Sequence, residues 1–593
     1  MITLVLIFSL LMGAMAQQNT SYNANTVPIG GTYSTAIGFE SLLQNIAVGN
    51  TANGNSALKN NYSGEYNSAF GLAALFYNTT GYNNTASGTQ ALYRNTTGGH
   101  NTANGFNALS GNSIGNYNTA NGVFTLQTNT SGSNNTANGA GALYKNTIGY
   151  SNSANGANSL YNNTTGFLNT ANGFNALSGN SIGNYNTANG VYTLANNNTG
   201  SNNTATGGYA LSNNSTGFSN TANGYAALYS NLTGSNNTSN GFQSLYSNSG
   251  GTNNTSNGVN ALYSNTTGSN NTANGSGSLY FNSTGDFNTA NGVNSLYHNT
   301  TGFANIGNGL NALFSNTIGF SNSATGSNAL YSNTTGNSNN AVGDGSLYSN
   351  TTGSSNNAYG NNSLNNNSIG SFNTAMGISA LVNNTTGNKN TANGCNAAYY
   401  NSTGSYNTIS GNYALLQNST GNNNLSLGDS SGFSSLGSGN IYLGKRAGYF
   451  ETGSNKLYLG NDSNKTILYG NMATGQILLG NAQPSGYIFK GTRTLNVLGG
   501  VLSDSVRVAV SSGWADYVFA DNYELQPLSE VETFIKTNKH LPNIPSAKEV
   551  ETAGIELGSM NAKLLEKVEQ LTLYILQQQK QIDELREMMK KVQ

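Results

Sequence analysis

The sequence predicts a mainly β fold, in which a β-solenoid of 17-residue repeats (a β-roll) precedes an α-helical coiled-coil module. The period runs from residue 50 to residue 428 in 23 units, without one insertion or deletion. Gly holds the fifth position of every unit, and Asn the twelfth and Gly the fifteenth of every unit that reaches them. Residues repeated at one spacing become residues stacked in one column of a solenoid. The end of the chain carries apolar heptads instead.

Composition limits the alternatives to this fold. Of 593 residues only 7% are charged, and the chain has 76 Gly but 5 Pro. Such a polar, Gly-rich chain is typical of disorder, but a disordered segment need not keep a fixed spacing of Leu, Ala and Tyr. The net charge of -1 leaves no basic patch for nucleic acid and no polybasic arm for an anionic membrane. We therefore expect an ordered repeat protein that has no nucleic-acid partner.

The N-terminus predicts export. An apolar run over residues 2–12 leads to Ala14 and Ala16 in an A-x-A-type arrangement, which is typical of a signal peptide over residues 1–16. The run is shorter than the roughly 20 residues that span a bilayer, but no Lys or Arg precedes it, so an uncleaved membrane anchor is the alternative. Residues 17–49 would form an N-terminal lead-in. The lone Cys395 has no partner for a disulfide in its own chain.

Each unit of the solenoid, predicted for residues 50–430, holds two candidate strands, around Asn-Thr-Ala-Asn and around x-Ala-Leu-Tyr. The third-position Ala and the ninth-position Leu, such as Ala86 and Leu92, are the predicted core, and the polar columns are expected to face water or a neighbouring chain. Both recurring glycines are expected to turn the chain at positive φ. The twelfth-position Asn is expected to bond its neighbours in adjacent coils. At ~4.8 Å per coil, 23 coils would form a rod of roughly 110 Å.

This Gly-, Ala- and Asn-rich pattern resembles the β-roll heads of trimeric autotransporter adhesins. It is also similar to the repeat region of long fibre proteins of Bacteroidetes. The resemblance covers about two thirds of the chain and rests on composition, because those heads use a shorter repeat. It implies a homotrimer, whereas the period by itself indicates a solenoid.

Beyond the repeats, alternating apolar strands predict a β-rich neck over residues 431–500, and short helices predict a small mixed α/β segment over residues 501–559. Over residues 560–593, apolar residues alternate four and three apart, which predicts a coiled coil with one polar core position. The alternative is an amphipathic helix packed on its own chain. The predicted oligomerisation residues are Leu564, Val568, Leu571, Ile575, Gln578, Ile582, Leu585, Met589 and Val592.

Residues 514–519, 539–550 and 558–567 resemble the C-terminal module of secreted and tail-fibre-type proteins of Bacteroidetes, which is similar in layout to the intramolecular chaperone of endosialidase-type fibres. The resemblance implies a trimer, although β-branched residues at a with Leu at d favour two strands. It also implies self-cleavage at a Ser-Asp step with the help of a Lys. Ser503 and Asp504 are the candidates, but the basic run that follows this step in the chaperone family is missing here.

The sequence predicts no enzyme, cofactor or metal site, because the three histidines lie far apart and no phosphate loop, carboxylate pair or zinc spacing is present. A tenth-position aromatic column is the candidate binding stripe. Its rings could stack on sugars, although packing between coils or subunits is the favoured role. The column contains Tyr93, Tyr144, Tyr161, Tyr229, Tyr246, Tyr263, Tyr280, Tyr297, Tyr331, Tyr348 and Tyr399. The variable sixth, seventh, sixteenth and seventeenth positions are expected to carry specificity.

Two polar patterns leave alternatives open. The twelfth to fourteenth positions match a glycosylation sequon in many coils, but a polar turn is the simpler interpretation. Rows of Thr raise an ice-binding alternative, against which no Thr-x-Thr row is kept on one strand face. The overall prediction is a secreted or cell-surface, adhesin-like fibre that binds a glycan or another surface ligand multivalently. The alternatives are a self-processing fibre and an ice-binding solenoid.

Overall fold

The computed structural model describes residues 20–22, 32–482, 489, 492–509 and 514–592. The predicted signal peptide lies outside these residues. The chain divides into two compact units, Met1–Leu498 and Gly499–Gln593, which are described separately. Within the described ranges, no helix has both the length and the apolar character that a bilayer crossing requires.

The first unit is a β-solenoid with a 17-residue repeat, as predicted, and it has about 27 parallel coils, more than the 23 units counted in the sequence. Its strands are β1 (Thr20–Tyr22), β2 (Thr35–Ile37), β3 (Thr51–Asn53), β4 (Ser68–Phe70), β5 (Thr85–Ser87), β6 (Thr102–Asn104), β7 (Thr119–Asn121), β8 (Thr136–Asn138), β9 (Ser153–Asn155), β10 (Thr170–Asn172), β11 (Thr187–Asn189), β12 (Thr204–Thr206), β13 (Thr221–Asn223), β14 (Thr238–Asn240), β15 (Thr255–Asn257), β16 (Thr272–Asn274), β17 (Thr289–Asn291), β18 (Ile306–Asn308), β19 (Ser323–Thr325), β20 (Asn340–Val342), β21 (Asn357–Tyr359), β22 (Thr374–Met376), β23 (Thr391–Asn393), β24 (Thr408–Ser410), β25 (Leu425–Leu427), β26 (Ile441–Leu443), β27 (Lys456–Asp462), β28 (Lys465–Asn471), β29 (Gln476–Ala482) and β30 (Leu495–Val497).

Each coil contributes one short strand from its second to fourth positions, and each strand pairs in parallel with the same positions of the next coil. Thr102 therefore lies opposite Thr119. The spacing shortens to 16 residues near the ends of the solenoid, where Thr35 pairs with Thr51 and Leu425 pairs with Ile441. Strand β28 then pairs antiparallel with both β27 and β29, and β30 pairs in parallel with β29.

The second candidate strand of each unit, around x-Ala-Leu-Tyr, is wrong. That segment is a turn, in which the ninth-position Leu has a left-handed backbone with φ between 50° and 55°. This conformation costs a residue other than Gly roughly 1–2 kcal/mol. Full burial of a Leu side chain contributes roughly 1.5–3 kcal/mol, and Leu92 and Leu109 are 0% exposed. Burial therefore offsets the backbone cost of aiming each Leu inward.

The predicted apolar core is confirmed, but the prediction that the polar columns face outward is wrong for two of them. The third-position Ala103, the ninth-position Leu109 and the eighth-position Ala108 are all buried. The Asn residues at the first and twelfth positions, such as Asn101 and Asn112, are buried as well. The solenoid thus has a half-polar interior, and each buried amide costs free energy unless it is hydrogen-bonded.

Two asparagine ladders provide these hydrogen bonds along the solenoid, and the twelfth-position ladder ends at Asn418, whose buried Oδ1 has no hydrogen-bond partner among the described residues. In the first-position column, Asn118 donates from its backbone N and its Nδ2 to Asn101 Oδ1, at 3.0 and 3.1 Å. In the twelfth-position column, Asn112 Nδ2 donates to Asn95 Oδ1 at 2.7 Å, which confirms the predicted ladder. The carbonyl of Gly115 accepts from Nδ2 of both Asn101 and Asn112, at 2.9 and 3.0 Å. The two ladders are therefore joined once in each coil.

The two recurring glycines are required for different structural reasons. The fifth-position glycine has positive φ, from 120° at Gly207 to 149° at Gly54, as predicted. The prediction of positive φ at the fifteenth-position glycine is wrong. A Cβ built on Gly98 would lie 2.4 Å from the Gly115 carbonyl oxygen and 2.5 Å from Asn95 Oδ1. This glycine is required because the joined ladders leave no room for a side chain.

The last coils exchange the sizes of the two facing core columns. Tyr442 stands where earlier coils have Ala, and it is 0% exposed. Gly432 and Gly448 stand opposite it, and a Cβ on either would lie within 2.5 Å of the Tyr442 ring. The Tyr442 hydroxyl forms a 2.9 Å hydrogen bond with Ser435 Oγ, and burial raises the pKa of this phenol well above its usual value. A small residue thus still faces a large one.

The second unit contains the predicted C-terminal helical region. It consists of a 3₁₀ helix (Ala515–Phe519), α1 (Leu528–Asn538), α2 (Ala547–Ala553) and α3 (Leu557–Val592). Helix α2 begins with a capping box, in which Ser546 and Glu549 bond each other's backbone N–H groups. The 3₁₀ helix packs on α3, where Tyr517 Oη donates to Glu566 Oε2 at 2.9 Å.

Candidate functional site

The tenth-position aromatic column forms a continuous stack of eight rings. Neighbouring ring centroids lie 5.0–5.3 Å apart, with planes inclined by 4–19°. The stack contains Tyr229, Tyr246, Tyr263, Tyr280, Tyr297, Phe314, Tyr331 and Tyr348. Each interior ring uses both of its faces on other rings, so a sugar cannot lie flat on it. The column therefore packs coil against coil, which was the favoured of its two predicted roles.

The remaining tyrosines of this column are less continuous. Tyr144 and Tyr161 stack at 4.9 Å, and Tyr144 also meets Phe124 edge to face at 6.4 Å. Tyr93 stacks on Phe76 at 5.4 Å. Tyr399 meets the neighbouring Tyr400 edge to face at 4.7 Å. The rings are half-buried, so the column presents mainly ring edges and hydroxyls to a ligand.

The strand face of the solenoid presents a second regular surface. Thr or Ser holds the second position and Asn or Thr the fourth in twelve consecutive coils, from β6 to β17. These side chains lie outside the buried third-position column. The fourth-position amides form a further ladder, in which Asn104 Nδ2 donates to Asn121 Oδ1 at 2.8 Å and Asn121 Nδ2 donates to Asn138 Oδ1 at 2.7 Å. The face is thus a regular, uncharged array of hydroxyls and amides.

The predicted oligomerisation residues of α3 are exposed within the single chain. Val568, Leu571 and Ile575 are 58%, 58% and 56% exposed, and Gln578 is exposed beside them. The buried residues of α3 are Ala562, Glu566 and Glu569, which lie outside the a and d positions. The helix therefore packs on its own chain through another side and leaves its apolar face uncovered.

The candidate catalytic and metal-binding residues do not come together. His100 stacks on Tyr117 at 4.6 Å, His298 stacks on Phe281 at 5.3 Å, and His540 lies far from both in the sequence. Cys395 is half-buried. In the part of the chain that the structure describes, no three His, Cys, Asp or Glu side chains gather as metal ligands would. The absence of a metal or enzymatic function stays a prediction.

The self-cleavage candidate Ser503 is exposed, and its hydroxyl donates to the carbonyl oxygen of Ser505 at 2.7 Å. Asp504 is also exposed. The hydroxyl proton thus points at a backbone acceptor, whereas nucleophilic attack needs a base at that place. Self-cleavage at this step stays a prediction.

The sequon pattern has a structural explanation. The twelfth-position Asn, such as Asn95, is 0% exposed, and its Nδ2 already donates to Asn78 Oδ1 and to the Gly98 carbonyl oxygen. A glycan on that nitrogen would require the coil to open. The repeated Asn-Thr-Thr therefore serves hydrogen bonding within the fold.

Two features of the structure were not predicted from the sequence, namely the first-position Asn ladder and an exposed, unbroken apolar run in the sixth-position column. Both columns are visible in the sequence, because the residues at any fixed position of the repeat can be followed from one unit to the next. Comparison of the chain with known protein families, curated proteins and solved structures found no match.

Proposed function

We propose that the protein is a secreted or cell-surface homotrimeric fibre, adhesin-like and non-enzymatic, that binds a glycan or another surface ligand multivalently. The observation that carries this proposal is the uncovered apolar face of α3. A helix of 36 residues with Val568, Leu571 and Ile575 more than half exposed leaves apolar surface that other copies of the same helix would bury. Three copies rather than two follow from the resemblance to trimeric fibres.

The solenoid supports the binding part of the proposal. Its coils repeat the same surface columns along the fibre axis, so a weak contact made by one coil is available again in the next. Linked weak contacts raise the overall avidity by orders of magnitude without any new contact. The low charge of the repeats removes long-range electrostatic attraction as the source of affinity.

Light scattering tests this proposal through two adjacent residues of α3. Ile575 and Leu576 are 56% and 60% exposed, but only Ile575 occupies an a position of the heptads. We expect wild-type particles to have three times the 61.5 kDa chain mass, Ile575→Asp to lower the particle mass, and Leu576→Asp to leave it unchanged. A wild-type monomer would refute the fibre, and equal behaviour of both variants would refute the heptad interface.

Ice binding is a second candidate, favoured by the regular Thr and Asn array from β6 to β17. Its test is thermal hysteresis of the purified protein. If the strand face orders ice, Thr204→Lys abolishes most of the hysteresis, whereas Thr267→Lys, away from the strand face, does not. Freezing at the buffer value would exclude this candidate and leave the fibre proposal untouched.

A further inference from the structure

We propose that the sixth-position column of ten coils is the surface along which the solenoids of separate copies of this chain pack on one another, in parallel and in register. This inference rests on the proposed homotrimer and adds a second interface to the one on α3. The column, called the apolar stripe below, consists of Phe106, Val123, Ala140, Ala157, Phe174, Val191, Gly208, Tyr225, Phe242 and Val259.

The apolar stripe is exposed and unbroken. Its larger members are 44–50% exposed, from Phe106 and Val123 at 44% to Tyr225 at 50%. None of its ten residues is charged, and none except Tyr225 has a polar side-chain atom. Monomeric proteins rarely leave contiguous apolar patches of this kind uncovered, and such patches mark interaction surfaces.

Other exposed columns of the same coils are interrupted. The fourteenth position has Ile114, Ile148 and Ile182, but Ser or Thr stands between them. The seventeenth position mixes Tyr117 and Tyr185 with Asn and Ser. Isolated apolar residues on a surface are normal. The unbroken run therefore distinguishes the sixth-position column from these neighbours.

Ring contacts tie the apolar stripe to the columns beside it. Tyr225 and Phe242 stack within the stripe at 5.6 Å, and the seventh-position Tyr209 meets Tyr225 at 5.9 Å and the tenth-position Tyr229 at 6.4 Å. Ten coils at ~4.8 Å per coil span roughly 45 Å. Over that length, an interface of standard size, roughly 800 Å² per partner, requires a strip about 18 Å wide, so side chains beside the stripe, such as Tyr209, have to contribute to it.

Another copy of the chain is the partner that fits this surface. Between Glu65 and Asp286 there is no acidic residue, and Arg94 and Lys145 are the only Lys or Arg. Identical copies therefore meet there without strong like-charge repulsion. A second solenoid also repeats at the same rise, so parallel copies in register bring each stripe residue to its own equivalent. A partner without this period could match only part of the stripe.

Disulfide trapping in the full-length chain tests the inference. In a Cys395→Ser background, Val123→Cys places a thiol on the stripe, and Ile114→Cys places a matched thiol on the fourteenth-position column. The two side chains are 44% and 52% exposed, so neither change disturbs the core. Val123 lies near one end of the stripe, so pairing with its own equivalent requires parallel copies in register. Circular dichroism confirms that each variant keeps the fold.

On oxidation with copper phenanthroline, we expect Val123→Cys to convert up to about two thirds of the chains to disulfide dimers, because three thiols around one axis form a single disulfide. We expect less than about a tenth for Ile114→Cys. A trimeric particle in which Val123→Cys fails to pair, whether or not Ile114→Cys does, overturns this interface and leaves the proposed fibre standing. A monomeric particle overturns both.

Discussion

The solenoid and the C-terminal helical unit differ in how much of their own surface they bury. In the solenoid even polar side chains are enclosed, and Asn101 and Asn112 are 0% exposed. In the described residues of the helical unit, the buried side chains are few, namely Ala515, Val518, Ala562, Glu566 and Glu569. The solenoid therefore holds together through contacts within one chain, whereas the helical unit leaves the apolar face of α3 uncovered.

The difference follows from the sequence spacing of the contacts. Each coil bonds to the next coil 17 residues away, so stability grows by one similar interface per coil. A single helix has no such neighbour, and helices in proteins draw most of their stability from packing of an apolar face, which on α3 is uncovered. The largest expected effects therefore come from breaking the solenoid interior, and smaller ones from the helical unit.

The buried asparagine ladder should give the largest effect. Asn180 Nδ2 donates to Asn163 Oδ1 at 2.8 Å and to the Gly183 carbonyl oxygen at 3.0 Å, and Asn180 Oδ1 accepts from Asn197 at 2.7 Å. Asn180→Ala removes all three hydrogen bonds and leaves their buried partner atoms without a partner. We therefore expect the free energy of unfolding to fall by about 3 kcal/mol. Hydrogen exchange of the adjacent coils, read by mass spectrometry, measures it.

The matched control lies in the same coil. Asn172 also forms a ladder, accepting from Asn155 at 2.8 Å and donating to Asn189 at 2.7 Å, but it lies on the half-exposed strand face. Water can replace its bonds, so Asn172→Ala should cost less than about 1 kcal/mol. Equal protection loss in the two variants would contradict the claim that burial of the amide stabilises the coil.

The asparagine ladders show which features of the fold can be predicted from the sequence and which cannot. The period predicts the solenoid, the Ala103 and Leu109 core and the twelfth-position ladder, because a column is visible in the spacing itself. The period does not predict which polar columns turn inward, because Asn is common on protein surfaces. Burial of Asn101 and Asn112 is favourable because both amides donate to the Gly115 carbonyl oxygen. The spacing also cannot separate a strand from a left-handed turn. The backbone at Leu109 follows from how the coil closes.

For the surfaces, sequence predicts residues better than their roles. The heptads place Val568 and Ile575 on one face of a helix, and that face is exposed in the structure. The tyrosines of the tenth position are visible as a column, but whether their rings face a ligand or one another depends on the side-chain rotamers. The stack of Tyr246 on Tyr263 at 5.1 Å decides this for the interior of the column.

The aromatic stack should give the second-largest effect. Tyr263 lies between Tyr246 and Tyr280, both at 5.1 Å, whereas Tyr348 ends the stack and meets only Tyr331 within it, at 5.0 Å. Because each ring pair contributes roughly 1 kcal/mol to stability, Tyr263→Ala should lower the free energy of unfolding by about 2 kcal/mol and Tyr348→Ala by about 1 kcal/mol. Hydrogen exchange of the flanking coils measures both. A loss that does not depend on position in the stack would assign the effect to burial of each ring alone.

In the helical unit, the contact between the 3₁₀ helix and α3 should give a smaller effect. Burial, followed by the hydrogen bond to Glu566, raises the pKa of Tyr517 to about 12, so the phenol remains a donor throughout the neutral range. Tyr517→Phe removes this charge-assisted hydrogen bond and should cost about 1.5 kcal/mol. The helical signal at 222 nm, followed in denaturant, reports the change. An unchanged midpoint would show that this contact does not hold the 3₁₀ helix on α3.

The acid sensitivity of the helical unit should give the smallest effect. Burial pushes the pKa of Glu566 upward, but hydrogen bonds from Lys567 and Tyr517 outweigh it, and the pKa of this carboxyl in the folded chain lies below the ordinary value of 4.5. A lowered pKa in the folded state means that the stabilisation is fully present above pH 4.5 and is lost as the pH falls toward the folded value. Glu566→Gln keeps an acceptor for Tyr517 but cannot titrate. The unfolding midpoint of this variant, followed at 222 nm, should therefore vary less between pH 5.5 and 3.5 than that of wild type. Some pH dependence should remain, because hydrogen bonds to Ser546 also lower the pKa of the capping carboxylate of Glu549. An equally steep loss in both proteins would place the acid sensitivity outside this contact.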